Sequence, residues 1–172
     1  MSRYPVLYAG QRMTADGVLT PMEQQFVLKV SSEDRSSTTT LTADSDLQIA
    51  LEANAVYHVE MYIHYATQST PGFQTEWSVP SGASGNRWCL GAGSTQVASD
   101  NVGGRWGVHN FTGTLVEYGD RNSSTNLNGA LEQGVITTSS AGTLALTWAQ
   151  VVSNASNTRV GAGSFMRVTR LA

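Results

Sequence analysis

AVYHVEMYIHYA, residues 55–66, alternates without a break. Ala55, Tyr57, Val59, Met61, Ile63 and Tyr65 fall on one side of an extended chain. Val56, His58, Glu60, Tyr62 and His64 fall on the other. A helix would scatter these residues around its axis. A strand sorts them into one apolar face and one mixed face. The segment therefore reads as a strand of a sheet that covers a core.

The same period extends outward. Upstream, Leu47, Ile49 and Leu51 alternate with Gln48 and Ala50, and Glu52, Ala53 and Asn54 form a turn. Downstream, GFQTEWSVP places Phe73, Thr75, Trp77 and Val79 on one side and reads as the partner of the 55–66 strand. Pro80 closes it, because proline cannot donate to a ladder. Residues 81–86, SGASGN, read as loop. RWCLGAG and GRWGVHNFTGTLVEYG read as short strands with glycine interruptions. GVITTSSAGTLALTWAQVV reads as a hairpin whose strands, 135–138 and 143–152, are joined by a Ser-Ser-Ala-Gly turn. A last strand lies within 160–171. Roughly eight strands at spacings of about 8–15 residues predict an all-β fold: a single jelly-roll-like β-sandwich over residues 25–172.

Residues 1–24 read differently. In RYPVLY, Pro5 drives Tyr4 out of the helical region. Thr20, Pro21, Met22 and Glu23 have the form of a capping box. Gly17 and Pro21 limit any helix here to one or two turns. This stretch is expected to be an N-terminal arm with a short helix.

Composition narrows the function. The chain has 172 residues, enough for one domain with its own core. One cysteine, Cys89, permits no intrachain disulfide and no zinc site of several thiolates. No apolar run reaches the ~18 residues of a membrane span, and the start lacks the pattern of a secretory signal. Net charge is −3 with no basic stripe, so neither nucleic acid nor membrane is an expected partner. Of ten basic residues only Lys29 is a lysine. Arginine suits protein interfaces, although a GC-rich genome would produce the same bias. Ser and Thr number 38, and only 13% of residues are charged. Such a surface is kept soluble by hydroxyls and amides.

Candidate chemistry is sparse. His58, Glu60 and His64 share a face, but a rise of ~3.3 Å per residue puts the two imidazoles about 20 Å apart, beyond one metal ion. His109 is the only other histidine. Metal enzymes of the cupin type need more histidines, closely spaced. The polar, partly aromatic outer face of a sheet is the favoured reading of His58, Glu60, Tyr62 and His64, and where subunits meet there Tyr62 and the histidines would be interface residues. Asp44 and Asp46 could hold calcium, but in a Ser/Thr-rich turn they read as backbone-capping Asx residues. No nucleophile elbow occurs: GASG at 82–85 lacks the helix. Cys89 reads as a small buried hydrophobe. Of the four tryptophans, Trp77 and Trp148 fit apolar faces. Trp88 and Trp106 are candidates for stacking on a glycan. No cofactor and no catalytic residue is assigned.

Two blocks carry a resemblance. RYPVLYAGQRMTA at the start, and GTLALTWAQVVSNASNTRVGAGSFMRVTRL at the end together with LEANAVYHVEMYIHYA and WSVPSG, are similar to structural proteins of tailed phages infecting actinobacteria, of the minor tail or head-associated kind. Gly17 and Pro21 depart from a segment that is more helical in that family. The resemblance implies a non-enzymatic virion protein, assembled in the host cytoplasm, that decorates the particle. It would attach to the capsid or tail through Tyr4, Pro5, Val6, Leu7, Tyr8 and Arg12, and meet other copies through His58, Glu60, Tyr62 and His64. A homotrimer is expected by analogy with jelly-roll trimers. The alternative is a glycan-binding module that adheres the particle to a host surface.

Overall fold

A computed structural model describes residues 9–10, 24–93 and 104–172, with the backbone alone at 104–106. The arm residues Tyr4, Pro5, Val6, Leu7, Tyr8 and Arg12 lie outside the described residues, as does the capping box at 20–23. Among the described residues there is no helix.

The fold is all-β, with two antiparallel sheets stacked as a sandwich. Among the described residues there are twelve strands, where the periodicity indicated roughly eight. They are β1 (Gln25–Leu28), β2 (Glu33–Arg35), β3 (Thr42–Leu51), β4 (Ala55–Thr67), β5 (Phe73–Ser78), β6 (Ser84–Ala92), β7 (Gly104–His109), β8 (Val116–Tyr118), β9 (Ser123–Thr138), β10 (Gly142–Ala149), β11 (Thr158–Val160) and β12 (Phe165–Arg170). The larger sheet runs β1-β12-β4-β9-β6-β7, with β11 beside β4 and β2 beside β11. The smaller sheet runs β3-β10-β5-β8.

The 55–66 segment is the centre of the larger sheet. Its odd residues from Ala55 to Tyr65 are buried. The partner expected for it was misplaced. β4 pairs with β12 and β9, not with β5, which belongs to the opposite sheet beside β10 and β8. The hairpin expected over 135–152 also differs, and the turn at 52–54 joins strands of two sheets. β3 and β4 are joined by a tight turn at Asn54 (φ 53°), yet lie in different sheets. β9 and β10 are likewise joined by a short turn and separated. The expected hairpin is an arch between layers. Alternation cannot distinguish the two, because both strands of a hairpin and both strands of an arch point alternate residues at the core.

Residues 84–86, read as loop, open β6. At Gly85 (φ 134°) an added Cβ would stand 2.1 Å from the Val135 carbonyl oxygen, so the residue must be glycine for β6 to approach β9. β9 begins at Ser123, twelve residues before the strand read from sequence.

Between the sheets lies an aromatic core. Tyr65 stacks on Phe73 at 4.5 Å between ring centroids, Phe73 meets Trp148 at 6.0 Å, and Trp77 stacks on Phe111 at 5.7 Å. Trp77, Trp148 and Cys89 are fully buried, as the sequence indicated.

Candidate functional site

Two clusters hold most of the buried charged side chains among the described residues. Lys29 leaves the end of β1 with its backbone tied to Ser164 and Gly163. Its side chain turns inward, and Nζ donates to Asp44 at 2.9 Å, Asp46 at 3.2 Å, Glu33 at 3.2 Å and the Ser45 hydroxyl at 3.2 Å. Asp44 also accepts the backbone N–H groups of Asp46 and Leu47, the Asx capping expected, and the Trp148 indole N–H. Burial works against the Lys29 charge, but the carboxylates around it, Asp44 above all, raise its pKa. Burial likewise opposes ionisation of Glu33, yet the Ser45 N–H and Arg35 hold it down at about 2. The amine is thus a protonated ion-pair partner and not a nucleophile.

The second cluster joins the sheets. Glu132 of β9 points inward and accepts from Thr75 Oγ1 at 2.5 Å, Trp77 Nε1 at 2.6 Å, Arg87 Nη1 at 2.7 Å and the Tyr118 hydroxyl at 2.8 Å. Those four donors fill the acceptor positions of a carboxylate. Arg87 also donates to the backbone carbonyls of Thr75 and Thr114. Burial opposes its charge and Glu132 restores it, with a net upward shift. Burial, and then Glu132, push Tyr118 well up. The Lys29–Asp44 and Arg87–Glu132 pairs are fully buried, Arg87 Nε is left without a hydrogen-bond partner, and Glu33 and Asp46 are partly exposed at the rim of the first cluster.

The outer face of the larger sheet is different. His58, Glu60, Tyr62 and His64 all point outward from β4, as their spacing required. Cross-strand register extends each into a row. Tyr62 stands beside Phe165 of β12 and Leu131 of β9, and these continue to Leu28 of β1 and Leu90 of β6. Glu60 stands beside Arg167 and Gln133, which continue to Phe26 and Trp88, and Val108 follows on β7. A sheet with one covered face ordinarily shows water a polar surface. This one shows Phe26 (54% exposed), Leu28, Tyr62, Val108 (68% exposed), Leu127 and Val135. Neighbouring exposed apolar residues are unusual on the solvent side of a sheet.

The rings are ordered. Phe26 stacks on Phe165 with centroids 5.3 Å apart, and Phe165 stacks on Tyr62 at 5.7 Å. Tyr62 meets the His64 ring edge-on at 5.0 Å. His64 is held in place, since its N–H donates to Ser164 Oγ and its Nδ1 lies 3.2 Å from the Ala162 carbonyl oxygen. Charge on the face is paired: Arg167 donates to Glu60 at 2.7 Å, and Gln133 also reaches that carboxylate.

Of the residues singled out for stacking on a glycan, Trp88 is half-buried on this same outer face. The Trp106 side chain lies outside the described residues. His109 is directly opposite Arg87, which points inward, so it does not share the face of His58 and Glu60. The reading missed Phe26, Leu28, Phe165, Leu131 and Val135. Phe165 and Val168 both lie in the last strand expected within 160–171. Their odd and even positions in β12, one outward and one inward, held the missing signal. A cleft of about 410 Å³ lies elsewhere, and its lining residues include Ala55, Val56, Ser84, Thr137 and Ser139 but no ionisable side chain.

No family model matches the chain, and no curated protein does. Among solved structures it is similar to that of infectious bursal disease virus, Gt strain, at 13% identity and a TM-score of 0.23, over 86% of this chain and 42% of that one. It is also similar to the infectious bursal disease virus VP2 subviral particle, at 12% identity and a TM-score of 0.23, over 86% of this chain and 41% of that one. The chain thus spans about two fifths of those chains. A likeness at this level carries no argument about what this chain does.

Proposed function

We propose that this chain is a non-enzymatic structural protein of a virus particle, which self-associates and attaches to the capsid or tail. The observation that carries the reading is the ordered apolar face of the larger sheet, spread over β1, β12, β4, β9 and β6. Its rings are stacked on one another and its charges are paired, so it is suited to receive a flat, dry protein surface. The buried ion pairs Lys29–Asp44 and Arg87–Glu132 support the same reading, because these four charged groups are paired with one another and out of reach of a substrate. The sequence resemblance to phage structural proteins supports the virion setting. The glycan-binding alternative ranks lower. Of its candidates Trp88 is half-buried and the Trp106 side chain lies outside the described residues.

Sedimentation velocity on the purified protein tests the contact face, and mass spectrometry of gradient-purified particles tests the setting. Wild type should sediment as an oligomer. Phe165→Asp should shift it to the monomer with an unchanged far-UV spectrum. A monomeric wild type, or an oligomer that survives this substitution, would refute the contact face.

A further inference from the structure

β1 ends the larger sheet on one flank, and among the described residues no strand lies outside it. A strand in that position is ordinarily guarded against further pairing by charge, proline or a bulge. β2, on the same flank, is guarded: its three residues are Glu33, Asp34 and Arg35. β1 is Gln-Phe-Val-Leu, without a charge. Phe26 and Leu28 are half exposed, and Val30, just beyond, is 78% exposed. We propose that two copies of this chain join at this flank, β1 of one pairing antiparallel with β1 of the other about a twofold axis at Val27. The inference rests on the self-association proposed above and names the edge through which it occurs.

The first observation is the direction of the backbone groups. The Lys29 N–H donates to the Ser164 carbonyl, and its own carbonyl accepts from the Gly163 N–H, both on the β12 side. Peptide groups alternate along a strand, so those of Val27 and Gln25 also face β12, while those of Phe26 and Leu28 face away from it. With Val27 on the axis, Phe26 of each copy stands opposite Leu28 of the other. Each of these two pairs then exchanges two N–H···O bonds. Every outward backbone group of Phe26 and Leu28 finds a partner, and no foreign strand is needed to supply one.

The second observation is charge. A twofold axis brings identical groups together, and like charges opposed across a ladder are destabilising. In this register Gln25 faces Lys29, and Gln24 faces Val30. Lys29 is the only charged residue from 24 to 30, and its side chain is fully buried against Asp44. The strand therefore meets its own copy without repulsion.

The third observation is continuity. Leu28, Phe165, Tyr62 and Leu131 form one row of the outer face, and Phe26 begins the next. Across the joint, Leu28 of one copy stands beside Phe26 of the other, so the apolar face proposed above runs through both copies without a break. On the opposite side of the core, β3 ends the smaller sheet, and the Lys29–Asp44 pair ties it to the end of β1. An axis normal to both sheets brings the two β3 flanks together as well, adding buried area to that of the short β1 strands. A twofold contact of this kind closes on itself and makes a pair, not a filament.

The test uses the full chain carrying Val27→Cys. Two residues directly opposite in a non-hydrogen-bonded antiparallel pair have Cα atoms about 4.5 Å apart, within the range of a disulfide. Treated with oxidised glutathione, this variant should become a covalent dimer, mapped by mass spectrometry to position 27 of both chains. Wild type, whose Cys89 is buried, and Asp34→Cys on β2 should stay single chains on a non-reducing gel. Leu28→Pro removes an outward N–H and leaves the bonds to β12 in place. In sedimentation velocity it should dimerise about thirtyfold more weakly than Leu28→Ala, the worth of two neutral hydrogen bonds. No disulfide at position 27, or a Leu28→Pro variant that associates as tightly as Leu28→Ala, would overturn the proposal. Should Leu28→Pro lose its far-UV spectrum, the disulfide alone decides. The two readings fail separately: an oligomeric wild type that gives neither result keeps the contact face and loses this edge, whereas a monomeric wild type loses both.

Discussion

Glu132→Gln is the most discriminating test of how the sandwich is held together. The substitution keeps the shape of the side chain and removes its charge. Arg87, fully buried 2.7 Å away, then has no counter-charge. Breaking one side of a buried pair costs about 3–5 kcal/mol. The carboxamide also brings an N–H₂ into a pocket of donors. Thr75 and Tyr118 can rotate their hydroxyls to accept, but the Trp77 indole and Arg87 can only donate. The loss should therefore sit at the upper part of that range. At ~2–4 °C per kcal/mol for a chain of this size, the melting temperature should fall by about 8–20 °C. Urea unfolding followed by tryptophan fluorescence is the suitable assay, because Trp77 is itself a ligand of the carboxylate. Glu60→Gln, on the solvent-facing pair with Arg167, is the control and should cost ~0–1 kcal/mol. If Glu132→Gln lost less than about 1 kcal/mol with an unchanged denaturant slope, the claim that this carboxylate ties β9 to β5, β6 and β8 would be refuted.

Other expectations follow from single sites. Glu33 has its pKa lowered from 4.5 to about 2, so its contribution to stability is complete above about pH 4.5 and drains away as pH falls toward 2. Glu33→Gln should flatten the acid limb of a melting-temperature profile in that window and leave pH 7–9 parallel to wild type. Gly85→Ala forces a Cβ onto the Val135 carbonyl at a backbone angle that disfavours it, and should cost about 1–3 kcal/mol in chemical denaturation. The buried Cys89 thiol should react with a thiol-specific reagent only at the rate of unfolding, and react at once in 6 M guanidinium.

How far the sequence reached depends on which residues kept their period. β4 was legible because every inward position from Ala55 to Tyr65 is apolar. β9 was not, although it is longer: its inward positions include Glu132, and Gly134 follows in phase, so the apolar pattern broke where the fold places its buried acid. Lys29 and Asp44 were hidden for the same reason, since a buried charge looks like a surface charge until its partner is found. The exposed face could be read from β4 alone but not in its full width. Phe26 and Phe165 lie 139 positions apart in sequence and meet only through the β1–β12 register. Which strands share a sheet was beyond the alternation altogether, because arches and hairpins have the same pattern.

The placement of Lys29 decides how the outside of this molecule can be modified. It is the chain's only lysine, and its amine is enclosed by three carboxylates. Every other fixed positive side chain is a guanidinium, which neither acylates under mild conditions nor loses its proton below strongly alkaline pH. Acetyl transfer, reductive alkylation and aldehyde fixation therefore find no ε-amine on the folded surface. The exterior keeps its cationic points in settings where a lysine-rich coat would be neutralised.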